Sequence, residues 1–284
     1  KQSKLSQMFF SETIRLGIKI YYEEKLSGFE RFKNSILNKI VRKKVKKRFG
    51  GHLQALVSGG AALNIEVGLY LSALGLPLLQ GYGQTETGPV VSANPPSKIK
   101  LDTVGIPLEG VNVKIAEDGE ILVSGENVMN GYWNNPEATS SIIKKGWVHT
   151  GDIGELDSEG YLKITDRKKD IIVSAGGDNI SPAKIENQLS NFLEIDQCMV
   201  YGDGKNYLVV LIVPNKEFKG QKEKISEIIN KTNKNLTLVE KIKKFYLINE
   251  NFSIENGLLT PTMKVKRNKV VEKYKNILEN LYKN

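Results

Sequence analysis

Apolar and polar positions alternate along this chain with two different periods. Through residues 4–48 the apolar positions recur every three or four residues, as at Phe29, Phe32, Ile36, Leu37 and Ile40, with Lys and Arg between them. That spacing predicts helix, ended by Gly50-Gly51. Residues 53–58 are a short apolar run before Gly59-Gly60 and predict a buried strand. Residues 65–74 predict a helix ending near Gly75, and 77–80 a second buried strand. Strand, helix, strand is the rhythm of an α/β sheet. From Thr103 the texture changes. Residues 111–115 and 120–124 alternate around Asp118-Gly119, a hairpin signal, and short strands follow at 147–149 and 161–164. This stretch predicts a small antiparallel sheet or barrel. The charged cluster 165–170 predicts a boundary. Beyond it the pattern predicts a strand at 171–173, a helix at 182–193 and strands at 198–201 and 207–213. Helices up to Phe245, a loop over 255–263 and a basic C-terminal helix complete it.

Composition narrows the chemistry. In 284 residues there is one cysteine, Cys198, so neither a disulfide framework nor a multi-cysteine zinc site is available. Two histidines, His52 and His149, argue against a histidine-rich metal centre. The apolar runs fall well short of the ~18–20 residues that cross a bilayer, and the first residues lack a secretory signal pattern. The first residue is not methionine. The expectation is a cytoplasmic protein, with a piece of a longer one left open. The net charge of +9 is unevenly spread. Residues 1–50 carry 14 Lys/Arg against 4 Asp/Glu, residues 51–166 carry 6 against 14, and residues 167–284 carry 21 against 14. The most basic run, 39–48, fits a solvated helix face or contact with anionic lipid at the inner face of a membrane. It lacks interleaved aromatics and any nucleic-acid-binding motif, so no nucleic acid partner is expected.

Five segments could carry chemistry. Ser58-Gly59-Gly60-Ala61-Ala62 follows a strand, where small residues let a flat ligand approach the backbone. Gly81-Tyr82-Gly83-Gln84-Thr85-Glu86 sets an aromatic between glycines, then a hydroxyl suited to phosphate and a carboxylate suited to Mg²⁺. Asp152, just past Gly151, could accept hydrogen bonds from ribose hydroxyls. Arg167 offers a fork for oxygen pairs. Lys264 follows a proline-fixed loop near the chain end. Taken singly, each also fits an ordinary turn, linker or lysine-rich tail.

Taken in order, these segments resemble the adenylate-forming acyl-activating enzymes, the family of acyl-CoA synthetases, luciferases and peptide-synthetase adenylation domains. The resemblance rests on Gly81 to Glu86 and on Gly119-Glu-Ile-Leu-Val-Ser-Gly125 with Gly131-Tyr132, Pro136 and Thr139. It also rests on Thr150-Gly151-Asp152, on Asp166-Arg167 with Gly176-Gly177, and on Lys264. It runs from about Leu53 to the end. The texture of 164–170, 176–182 and 259–267 is similar to bacterial long-chain fatty acid–CoA ligases. Many relatives have glycine where Met263 stands.

The resemblance implies an α/β plus α+β fold. Residues 1–168 would be the C-terminal part of a large domain (helical 1–50, α/β 51–102, β-rich 103–168 with a small β-barrel). Residues 169–284 would be a small lid. It implies a ligase that uses ATP, Mg²⁺ and coenzyme A to convert a long-chain fatty acid first to acyl-adenylate and then to a thioester. A carrier protein as acceptor, or a non-catalytic nucleotide-binding relative, is the alternative. A homodimer is open. By position, Gly60 and Ala61 would line the adenine and Tyr82 would stack on it, with Gly81 and Gly83 also at the nucleotide. Thr85 would bind the α-phosphate, and Glu86 would hold Mg²⁺. Asp152 and Arg167 would take the ribose, and Lys264 would bridge carboxylate and α-phosphate. Lys169 would be the hinge, and Gly176 and Gly177 would face coenzyme A. The family's Ser/Thr/Gly-rich phosphate loop ending in Pro-Lys does not occur in these residues, so the chain is expected to be the C-terminal part of a longer enzyme and not fully active alone.

Overall fold

A computed structural model describes residues 4–61 and 63–283. It divides into two compact units. One runs to Thr150 and includes Gly154–Ile164, and the other holds Gly151–Ile153 and everything from Thr165.

The first unit opens with helices α1 (Lys4–Tyr21), α2 (Gly28–Leu37) and α3 (Lys43–Arg48), with a π-helical turn at Asn38–Arg42 between the last two. The uninterrupted helix expected over 4–48 is therefore broken. Glu23 takes a left-handed φ of 57°, and Ser27 starts a new helix with a capping box to Glu30. The π turn carries Arg42 inward. Its Nε donates to the Ala73 carbonyl at 2.7 Å and its Nη1 to Asn34 Oδ1 at 2.8 Å. Arg42 is therefore not part of the exposed basic face, and burial lowers its basicity. α1 crosses helix α4 (Ile65–Ala73) closely: a Cβ on Gly17 would lie 2.5 Å from Ala73 Cα.

α4 connects β1 (Leu56–Ser58) to β2 (Leu78–Tyr82), which run parallel. β3 (Ser92–Ala93) and β4 (Ile106–Pro107) extend this sheet antiparallel in the order β1-β2-β3-β4. β5 (Val111–Ile115) and β6 (Glu120–Gly125) form the expected hairpin about Asp118-Gly119. A short helix, α5 (Pro136–Ile142), leads into β7 (Ile143–Lys144), β8 (Trp147–Leu156) and β9 (Leu162–Arg167). Their order is β5-β6-β8-β7, with β9 on β8. This is an open sheet with two edges. The expected small barrel is not formed among the described residues, because β5 and β7 remain unpaired to each other. Its inner face packs Tyr82, Val91, Ile121, Val123 and Leu162 into one core.

The second unit starts with β10 (Ile172–Val173) and β11 (Asn179–Ile180), a small hairpin, then α6 (Pro182–Ser190). β12 (Ile195–Tyr201) and β13 (Leu208–Pro214) pair antiparallel. After α7 (Lys222–Asn233), β14 (Ile242–Leu247) joins β13 in parallel. The stretch up to Phe245 thus ends in a strand rather than helix. α8 (Arg267–Lys273) and α9 (Lys275–Tyr282) close the chain as two short helices. β13 is buried from end to end, as its unbroken apolar run requires of a strand covered on both faces. Leu208, Val210 and Ile212 face one core with α6 and α7. Val209, Leu211 and Val213 face another with α8 and α9. Among the described residues no helix is long and apolar enough to cross a membrane.

Candidate functional site

The nucleotide-site candidates of the first unit gather at one end of the parallel pair. Ser58 stands opposite Gln80 in register, so Gly59-Gly60-Ala61 and Gly81-Tyr82-Gly83 leave neighbouring strand ends together. A Cβ on Gly59 would already lie 3.3 Å from the Gly81 carbonyl. Gly60 turns the chain with φ 77°. Ala62, the last residue of the first motif, lies outside the described residues. Carboxyl ends of parallel strands are where open α/β sheets receive ligands.

The following turn is tightly built. Thr85–Thr87 form one 3₁₀ turn, closed by mutual bonds between Gln84 and Thr87. Gly83 is required by the fold itself: a Cβ there would lie 1.8 Å from the Pro89 carbonyl oxygen. Asn127 ties the turn to the second sheet, donating to the Thr87 carbonyl at 2.7 Å. Thr85 is exposed, and Glu86 is partly exposed beside it. Tyr132 Oη donates to Glu86 Oε1 at 2.8 Å, and this bond raises the tyrosine's pKa. The residue Tyr132 belongs to the motif Gly131-Tyr132, but sequence spacing gave no hint of this partner. Tyr82, expected to stack on a base, is 8 % exposed and packs into the core with Val91 and Leu162.

A lone carboxylate fits Mg²⁺ only when the ion brings phosphate and water ligands with it, since Mg²⁺ holds several waters and takes one or two carboxylates. Glu86 meets that description. Among the described residues no cluster of three acidic, His or Cys ligands exists to hold a metal alone.

Two more candidates lie together in the second unit. Arg167 Nε meets Asp152 Oδ1 at 3.1 Å. Asp152 is 5 % exposed, whereas Arg167 is exposed. The pair is set by strand geometry, since Lys168 N donates to the Gly151 carbonyl across β8 and β9 at 2.9 Å. Lys169, the hinge candidate, is exposed between Lys168 and Asp170. Gly176 and Gly177 form the exposed β10–β11 turn. Ser174 Oγ donates to Asp178 there and accepts from the amides of Gly176 and Asp178. This turn borders a cleft of about 270 Å³ shared with Lys205, Tyr207 and Val239.

Lys264 sits at the tip of a short loop. Thr260 N donates to the Lys264 carbonyl at 2.8 Å, and Lys264 N donates to Thr260 Oγ1 at 3.0 Å. Leu259 and Val265 bridge at its base. The side chain is exposed, and among the described residues its ammonium has no ion pair. Met263 beside it takes φ 63°, the region glycine occupies without cost.

Models of two parts of one family match this chain. The AMP-binding enzyme model matches residues 31–133, and the AMP-binding enzyme C-terminal domain model matches residues 169–284. The chain belongs to the AMP-binding enzyme family. Within that family it is 38 % identical over 274 residues to the long-chain-fatty-acid–CoA ligase FadD15 of Mycobacterium bovis, covering 89 % of this chain and 46 % of that one. The chain thus spans about half the length of the curated relatives it matches. The adenylation domain of a carboxylate reductase from Mycobacterium chelonae shares the fold, with TM-score 0.72 at 24 % identity over 98 % of this chain and 45 % of that one. The o-succinylbenzoate CoA synthetase of Bacillus subtilis, solved with an acyl-adenylate intermediate, has TM-score 0.66 at 26 % identity over 81 % of this chain and 49 % of that one.

Membership in the AMP-binding family accounts for the order of the motifs. It does not account for the bonds that hold them. Tyr132 to Glu86, and Arg267 to Glu186, are long-range pairs, 46 and 81 residues apart. Only their types were visible in sequence, not their pairing.

Proposed function

We propose that this chain supplies catalytic parts of a long-chain fatty acid–CoA ligase that forms AMP. The carboxylate oxygen of a fatty acid attacks the α-phosphorus of ATP, and pyrophosphate leaves. The thiol of coenzyme A then attacks the acyl carbonyl, forming the C–S bond as AMP leaves and the thiol proton passes to solvent. Adenylation is needed because an oxide is a poor leaving group, whereas AMP is a stable one.

The observation that carries this reading is the set of hydroxyl, carboxylate and ammonium side chains held at built turns and strand pairs. Thr85 and Glu86 stand on a rigid 3₁₀ turn, Asp152 is buried with an oxygen on Arg167, and Lys264 is exposed at a loop tip without an ion pair among the described residues. The 38 % identity to a long-chain-fatty-acid–CoA ligase supports the substrate class.

In this reading Thr85 donates to the α-phosphate. Asp152 accepts from the ribose hydroxyls, and Arg167 orients it. Gly60, Ala61, Gly81 and Gly83 give the adenine a flat floor, and Tyr82, being a core residue, offers at most one face. Glu86 holds Mg²⁺, which neutralises phosphate charge when bound. Lys264 stabilises the charge that grows at the α-phosphorus. Lys169 is the pivot of the small unit. Gly176 and Gly177 border the coenzyme A side, where Lys205 adds a cation suited to a phosphate. The basic residues of 39–48 other than Arg42 are exposed and suit peripheral contact with anionic lipid.

The test is Lys264→Ala in the full-length ligase. ATP–pyrophosphate exchange is expected to fall by about 10²–10³, while thioester formation from supplied acyl-adenylate stays within a few-fold. Equal loss of both half-reactions would refute the role.

A further inference from the structure

Arg267 opens α8, three residues after Lys264, and its side chain turns into the second unit. Its Nη2 donates to Glu186 Oε2 on α6. Its Nη1 donates to the Val200 carbonyl on β12 at 3.2 Å. The other Glu186 oxygen accepts from the Val200 amide at 2.7 Å. The ion pair therefore grips both polar groups of one residue, Val200, near the C-terminal end of β12. Both side chains are less than one-fifth exposed, at 19 % and 18 %.

Two acidic residues of the segment that leads into the unit also act on Arg267. Asp166 and Asp170 both favour its charged form. Asp166 accepts from the Arg167 amide through Oδ1, and its buried Oδ2 has no hydrogen-bond partner among the described residues.

A buried ion pair is a poor way to add stability, because desolvation offsets most of the attraction and apolar replacements often do as well. This unit already has two apolar cores. What the fork geometry supplies is position: two bonds fix where α8 begins. The Lys264 loop hangs between that point and the buried Leu258 and Leu259, and Lys266 N donates back to the Leu258 carbonyl at 2.8 Å. With both ends anchored, the loop has one place to present Lys264.

We propose that Glu186 and Arg267 are positioning residues that clamp the Lys264 loop to β12. The catalytic side of this inference rests on the ligase reading of Lys264; the clamp itself does not.

The experiment compares Glu186→Gln, Arg267→Lys and Arg267→Met with the parent. Amide hydrogen exchange in this chain is the first readout. Residues 258–266 are expected to exchange at least about tenfold faster in each variant, while α7 stays unchanged. Exchange over 258–266 equal to the parent would overturn the clamp. So would uniform acceleration across the unit, which is the signature of a merely structural role. If Arg267→Met does not fold, Arg267→Lys keeps the charge and loses the fork, and decides the question. The second readout is kinetic, in the full-length ligase. ATP–pyrophosphate exchange should lose kcat by at least about tenfold with KM for ATP unchanged, since small misplacements of a reacting group cost up to ~10². Thioester formation from acyl-adenylate should stay within threefold. Faster loop exchange with unaltered kcat would overturn the positioning role. Should Lys264→Ala impair both half-reactions equally, the ligase reading falls while the exchange result still judges the clamp.

Discussion

Met263 shows how one residue can carry a conformational cost in front of a functional one. Its φ of 63° is left-handed, which costs an ordinary side chain roughly 1–2 kcal/mol. Glycine would remove that cost but add about 0.5–1 kcal/mol of unfolded-state freedom. Met263→Gly should therefore stabilise by only about 0.5 kcal/mol, whereas Met263→Ile, with its branched Cβ, should lose at least ~1 kcal/mol. Urea unfolding of the two variants checks this, and a glycine variant weaker than the parent by 1 kcal/mol would contradict it. Gly83 is the opposite case, with no strained angle but no room. An added methyl would meet the Pro89 carbonyl at 1.8 Å, so Gly83→Ala should cost more than ~3 kcal/mol and melt the Thr85–Thr87 turn. A soluble variant with parental melting temperature would show that the backbone at Pro89 can move. The glycine habit of the family at position 263 was legible in sequence as a departure. Its reason was not, because a dihedral angle is a property of the loop closed by Thr260. The burial of Tyr82 was also hidden: a tyrosine between glycines reads as a platform until Val91 and Leu162 are seen around it.

At the scale of elements, local period decided strands well and helix ends poorly. The β5–β6 hairpin and the buried β13 follow directly from alternation and from an unbroken apolar run. β14 escaped because two consecutive exposed lysines, Lys243 and Lys244, break its alternation where the pairing with β13 shifts register, and such a pattern resembles a helix face. Whether the second sheet closes into a barrel depends on partners far apart in sequence, which no local period reports. The break after α1 was signalled by Ser27 and Glu30, and it has a consequence with pH. Glu12 on α1 bonds Arg15 at 2.8 Å and Lys33 of α2 at 3.0 Å. Glu30 on α2 bonds Arg15 at 3.1 Å and Lys19 at 3.0 Å. Hydrogen bonds from Arg15, then Lys33, hold Glu12 down at about 2, against 4.5 for the free side chain. The Ser27 amide, then Lys19 and Arg15, hold Glu30 down at about 2 as well. Carboxylates depressed in the folded state support it above pH ~4.5 and lose that support as pH falls toward 2. The α1–α2 pair should accordingly show faster amide exchange across that window, with α7 unaffected. The contrast should shrink in 1 M salt, because these charges are near the surface. A change centred near neutrality would point to other groups.

At the scale of the molecule, the two units differ in how completely each covers its own apolar surface. The order of motifs was readable along the chain, but coverage was not, because it depends on what packs above each face. In the second unit Val209 to Val213 have no exposed surface, and helices cover both sides of the sheet. Each such side chain contributes on the order of 1.5–3 kcal/mol of burial, and none of that burial depends on the first unit. In the first unit β1 is an edge of its sheet, with Val57 79 % exposed, and Phe29 and Phe32 are 72 % and 65 % exposed on α2. An open parallel edge and exposed aromatics are each surfaces that seek a partner. Residues 165–284 expressed alone should therefore unfold in one cooperative step and remain monomeric. Cutting away Gly151–Ile153 removes the partner of Thr165–Arg167 and should fray only that strand. Residues 1–164 alone should self-associate, and Val57→Lys on the edge should reduce this by opposing strand addition. Light scattering with thermal circular dichroism separates the outcomes. A non-cooperative 165–284, or a monodisperse 1–164 at tens of micromolar, would mean that exposed area in this fold does not govern which unit stands by itself.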